Sequence, residues 1–139
     1  MALGMTGGWV RDWSPIDVLP DILMDVPDLV FAYTRDGRYL FVNAAAGEFL
    51  GTDPMDVIGS HWRDLGYPTD VMMPLTMRVE AVANSGKAEH YRFTSSPKRG
   101  SRTFDMSLTP LWSEAGTVLA ILAIAHDISE FFASGTLLT

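Results

Sequence analysis

Three histidines, His61, His90 and His126, are the side chains best placed to hold a metal ion or carry a proton near neutrality. No two of them stand at close ligand spacing of the His-Glu-x-x-His kind, so the expectation is no metal site. The chain has no cysteine, which excludes disulfides, thiolate ligands and cysteine nucleophiles. A carboxyl group in an apolar pocket could transfer protons, because burial raises its pKa toward neutrality. Asp64 and Asp105 are the candidates. Asp105 alternates out of phase with Phe104 and Met106, and Asp64 follows Arg63, so both read as surface charge. No nucleophile elbow or phosphate-binding glycine loop is visible, the "TGG" at Thr6–Gly8 being too short and too terminal. The expectation is a protein without catalytic residues, not an enzyme.

The bulk properties narrow the class. A chain of 139 residues suits one domain with a single core. It is 47% hydrophobic and 19% charged, a globular composition. A net charge of −7 argues against binding nucleic acid or an anionic membrane surface, which require clustered Lys and Arg. The N-terminus "MALGMTGGWVRDW" has no basic region followed by an apolar run, so it does not read as a signal peptide. The longest apolar run, Val118 to Ala125, is too short for a bilayer. A cytoplasmic protein is expected.

The elements that would position these side chains are short and sharply punctuated. Ser14-Pro15 signals a helix start, and Leu19, Ile22, Leu23 and Val26 give an apolar helical stripe. Leu29 to Thr34 and Tyr39 to Asn43 read as strands joined by the turn "TRDGR". Within "LFVNAAAGEFLGTDPMDVIG" the chain changes rhythm repeatedly. Asn43 caps a helix that stops at Gly51, and Asp53-Pro54 opens another that ends by Gly59. A longer helix follows, from a cap at Thr69 or Asp70 to Ser85, with Met72, Leu75, Val79 and Val82 at helical spacing. Ala88 to Ser95, Arg102 to Trp112 and Thr117 to Ser129 complete the strands. The predicted class is α+β: a five-stranded antiparallel sheet, short helices and one longer helix on one face, and an N-terminal helical segment. Val118 to Ala125 is apolar on both faces, so the outer face also needs a cover. The N-terminal segment and a second copy of the chain are the candidates.

From Leu19 to Glu130 the chain resembles a PAS domain. The resemblance rests on "LVFAYTRDGRYLFVN", "VNAAAGEFLG", "DPMDVIG" and "GTVLAILAIAHDISE" in that order. Asp127-Ile128-Ser129-Glu130 is similar to the Asp-Ile-Thr-Glu ending of many PAS cores. The resemblance implies an N-terminal extension over 1–18, a PAS domain over 19–130, and a tail over 131–139 leading toward an absent effector. It also implies that the short helices wall a cavity. Light-sensing members carry a reactive cysteine where this chain has Trp62, within Gly59-Ser60-His61-Trp62-Arg63-Asp64-Leu65, so no cysteine-linked chromophore can form and flavin is disfavoured. Haem-binding members place a histidine on the longer helix. Here Met72, Met73 and Met77 stand instead, and a methionine stripe is more often core filling. His61 reads as a wall or rim residue, and His126 as facing away from the cavity.

Parity with the family pattern would turn Phe104, Met106, Leu108, Leu119, Ile121, Ala123 and Ala125 toward the cavity, with Phe31, Tyr33, Trp62, Met72, Leu75, Tyr91 and Phe93 as its further lining. Few charges would line it, so the implied ligand is small and mainly apolar or aromatic, the cofactor being unknown. The expected function is a sensory module of a signalling protein, relaying to an effector outside the chain such as a histidine kinase. The alternative is a ligand-free interaction module acting by homodimerisation through Trp9, Val10, Trp13, Val118, Ala120, Leu122 and Ile124.

Overall fold

A computed structural model describes residues 23–95 and 102–130. Most of the expected N-terminal helix, with Trp9, Val10 and Trp13, lies outside the described residues, as does the 131–139 tail. The chain forms β1 (Leu29–Tyr33), β2 (Tyr39–Val42), α1 (Ala44–Leu50), α2 (Pro54–Val57), α3 (Thr69–Ser85), β3 (Glu89–Thr94), β4 (Thr103–Trp112) and β5 (Val118–Asp127). The strands make one antiparallel sheet in the order β2-β1-β5-β4-β3. Helices α1, α2 and α3 are inserted between β2 and β3, and the main core lies between them and one face of the sheet.

Local chemistry explains the punctuation. The Asn43 side chain accepts from the Ala46 N–H and starts α1, and Asp53 accepts from the Met55 N–H and starts α2 with Pro54 in its first turn. α3 differs slightly from expectation. It begins after Pro68, which provides no side-chain cap, and Pro74 falls in its second turn. Gly86 ends it with φ 70°. A Cβ there would stand 2.6 Å from the Trp112 ring, so the helix end and β4 meet at a residue with no side chain.

Two β-bulges decide which residues face the core. On β2, Phe41 pairs with Ala32 but Tyr39 pairs with Tyr33, so Leu40 is the extra residue. The alternation inverts there, and Tyr39 joins Val42 and Tyr33 in the main core while Phe41 lies on the opposite face. On β5, Ala120 pairs with Leu111 but Val118 pairs with Trp112, leaving Leu119 as the extra residue. Strict alternation places Val118 outward and Leu119 inward; the structure reverses both. Val118 is buried in the main core and Leu119 is 41% exposed.

The outer face of the sheet carries a second, smaller cluster of Val30, Ala32 and Phe41. Leu23, Met24 and Val26, just before β1, pack on it, and Leu40, Leu111, Leu122 and Ile124 are its partly buried members. Ala120, opposite Leu111, is fully buried. Among the described residues no helix is long and apolar enough to cross a membrane.

Candidate functional site

Between the inner face of the sheet and α1, α3 and the Tyr67-Pro68 loop lies a cavity of about 390 Å³. That size falls within the range of small-molecule sites. Of the residues expected to line it, Phe31, Tyr33, Met72, Leu75, Tyr91, Phe93, Phe104, Met106 and Ala125 do so. Trp62, Leu108, Ile121 and Ala123 do not line it; they are packed in the core. The Trp62 indole instead donates to Thr76 Oγ1 at 2.8 Å, which holds the loop after α2 against α3. Of the helix methionines, only Met72 reaches the cavity. His61 does not line it either. It sits beside Gly37 of the first hairpin and accepts the Arg63 N–H through Nδ1. Asp64, Asp105, His90 and His126 are exposed.

Several lining residues escape a sequence reading. Tyr39 arrives by the β2 bulge, which alternation does not anticipate. Tyr67 comes from an irregular loop with no periodic signal. α3 presents two adjacent faces, one buried through Met72, Val79, Val82 and Ala83 and one toward the cavity through Val71, Pro74, Leu75 and Arg78. The cavity face does carry the i, i+3, i+4, i+7 spacing of a helical stripe, but its polar member conceals it. Pro68, Asp70, Pro74, Arg78 and Thr94 are lining residues that also reach solvent, so the cavity opens between α3 and β3.

Aromatic rings dominate the inner wall. Tyr33 stacks on Phe31 at 6.1 Å between centroids and lies 5.1 Å from the Tyr39 ring. Burial pushes the Tyr33 phenol well above its ordinary pKa, with the nearby Tyr39, Tyr91 and Tyr67 adding to the rise. Burial likewise raises Tyr39. Tyr91 is pushed up to about 12 by burial, with Arg78 opposing the shift. Near neutral pH these three phenols are therefore neutral hydroxyls, able both to donate and to accept. At the rim the Arg78 guanidinium lies 3.9 Å from the Tyr91 ring centroid and pairs with Glu89 at 3.2 Å.

Beside the cavity, Arg102 covers the rings of Phe49 and Phe104, both of them lining residues. Its Nε donates to Asp127 Oδ2 at 2.9 Å. Burial opposes charge on Asp127, but hydrogen bonds from Ser129 and Arg102 outweigh it and hold the carboxyl below its ordinary pKa. The Thr103 N–H donates to Ser129 Oγ and the Ile128 N–H to the Thr103 carbonyl, so the chain following β5 is tied to β4.

The family model described as PAS fold matches residues 23–132. No curated protein is similar enough in sequence to match. Among solved structures, the PAS domain from Bordetella pertussis BvgS has a TM-score of 0.74 at 15% identity, over 88% of this chain and 93% of that one. The sensory box sensor histidine kinase from Vibrio cholerae has 0.64 at 14% identity, over 81% and 90%. VqmA bound to DPO has 0.69 at 16% identity, over 78% of this chain and 56% of that one. This chain therefore spans little more than half of that VqmA chain. At such identities the likeness is one of fold.

Proposed function

The chain belongs to the PAS family, and we propose that it acts there as a sensory module that binds a small, mainly apolar ligand. The observation that carries this reading is the cavity of about 390 Å³ walled by aromatic and aliphatic side chains and open between α3 and β3. Buried ring faces and methyl groups favour an apolar guest by releasing water from both surfaces. The similar VqmA structure is bound to DPO, and a similar structure comes from a sensor histidine kinase, which supports ligand sensing coupled to an effector. On this reading the chain performs no reaction of its own, works in the cytoplasm, and relays occupancy to a separate effector such as a histidine kinase. Arg102, which touches two cavity rings and Asp127 at once, is the contact through which a change in the wall would reach the exit of the fold.

Native mass spectrometry of freshly purified protein tests the reading, alongside a denaturing run and a visible absorption scan. The expected result is a mass above that of the polypeptide that vanishes on denaturation, without visible absorbance. A bare mass, together with no stabilisation by any member of a small-molecule library, would overturn it.

A second reading has its own support. Leu122 and Ile124 lie half-buried on the outer sheet face beside Leu111 and Leu40. An apolar face of this kind favours a homodimer, whether or not a ligand is bound.

A further inference from the structure

The chain contains four tyrosines, and all four line the one cavity described above. They arrive from separate places: Tyr33 from β1, Tyr39 from β2 by way of its bulge, Tyr67 from a loop, and Tyr91 from β3. The Tyr33 and Tyr39 hydroxyls hydrogen-bond to each other, which leaves one donor and further acceptor capacity on the pair, and the phenols of Tyr67 and Tyr91 lie near enough to Tyr33 to disfavour its ionisation. A cavity selected for shape alone would be walled more cheaply by Phe and Leu, because a phenol desolvated without a partner costs free energy. No buried side-chain polar atom lacks a partner among the described residues, and the Tyr91 hydroxyl makes no hydrogen bond among them, so it is not sealed in the core.

Among the described residues, charge on the wall is already committed. Arg78 is the one cationic lining residue among them, and its guanidinium is engaged by Glu89 and by the Tyr91 ring. Asp70 adds a negative charge at the same rim. An organic anion entering this space would lose its hydration without gaining an uncommitted cation. Neutral hydroxyls, by contrast, discriminate strongly between a guest that can hydrogen-bond and an isostere that cannot.

We infer that the cavity takes an uncharged ring compound bearing at least one hydrogen-bonding atom, read by the hydroxyls of Tyr33, Tyr39, Tyr67 and Tyr91, and that it rejects organic anions. This inference rests on the sensory reading and specifies its ligand class. A dry cavity of ~150 Å³ accommodates benzene. On that scale a cavity of about 390 Å³ holds roughly 15 non-hydrogen atoms, the size of a substituted bicyclic ring.

A matched series tests it on the full chain: β-naphthol, naphthalene and β-naphthoate, titrated at neutral pH and followed by amide NMR. These probes share one ring system and differ in whether they carry a neutral hydroxyl, no polar group or a negative charge. The expected result is that β-naphthol binds at least about tenfold tighter than either of the others. In the Tyr33→Phe/Tyr39→Phe double variant its advantage over naphthalene should fall to within about twofold. Should that variant fail to fold, Tyr91→Phe replaces it, and the wild-type series still decides. Equal affinity for naphthol and naphthalene overturns the role of the tyrosines. Tightest binding of naphthoate, with the preference lost in Arg78→Ala, overturns the neutral-ligand inference and leaves the sensory reading standing. Binding of none of the three to a folded protein overturns both.

Discussion

Asn43 connects more of this molecule than any other polar side chain described. It is fully buried, and its Oδ1 accepts from the Val30 N–H at 3.1 Å and the Ala46 N–H at 2.9 Å. Its amide group donates toward the carbonyls of Leu23, Val26 and Asp28. One residue thereby caps α1, anchors β1 and fixes the chain entering the sheet. Replacing it with alanine removes a cap and leaves buried backbone groups unpaired, so Asn43→Ala should cost about 3 kcal/mol in a urea titration. Asn43→Asp keeps the acceptor but turns a negative charge toward three carbonyls, and should recover little. The cap is legible in the sequence because it is local, Asn43 standing just before an Ala-rich run. The grip on Leu23, Val26 and Asp28 is not, because those partners meet only when the fold closes.

Elements show the same division. At the end of β5, His126 Nδ1 lies 2.7 Å from Asp28 Oδ1 in the segment leading into β1. The hydrogen bond with Asp28 and its negative charge raise the histidine pKa, against a small opposing effect of burial, and Asp105 and Asp127 also favour the charged form. A group whose folded pKa is raised stabilises the fold fully below its unfolded pKa, and that contribution is lost as pH rises through the folded value. An NMR titration should therefore place His126 above its ordinary value of 6.5. In Asp28→Asn it should move back toward that value. The stability difference between wild type and this variant should shrink as pH rises through the same window. A His126 titration unchanged by Asp28→Asn would refute the pairing. Sequence periodicity located the strands and helices to within a few residues but misassigned Val118 and Leu119, since a bulge inverts alternation without leaving a local mark.

At the level of the whole molecule, the inner and outer faces of the sheet predict different consequences for the same kind of substitution. Leu122 lies on the outer face with Ile124 and Leu111, whereas Val118 is enclosed in the main core. If the outer face joins two copies, Leu122→Asp should convert a dimer to a folded monomer on size-exclusion chromatography with light scattering. Val118→Asp should instead lower the thermal midpoint steeply, because it buries an unpaired charge. A Leu122→Asp protein that remains dimeric would remove the outer face from the interface. Leu23, Met24 and Val26 already cover part of that face, so among the described residues the portion around β5 and β4 remains for a partner to engage.

What the sequence determined by itself is the order of elements, the absence of cysteine chemistry and the apolar, aromatic character of the cavity, including Phe31, Tyr33, Tyr91 and Phe104. Each of these follows from residue type or short-range periodicity, which act within a few residues of the chain. Only the tertiary structure brought Tyr39, Tyr67 and Arg78 to the same cavity and enclosed Trp62, Leu108, Ile121 and Ala123 in the core. The placing of Tyr39 depends on the β2 bulge, and that of Arg78 on which of two neighbouring faces of α3 meets the sheet. Strand register and helix rotation are settled by packing between distant segments, and such packing leaves no periodic trace in any one of them.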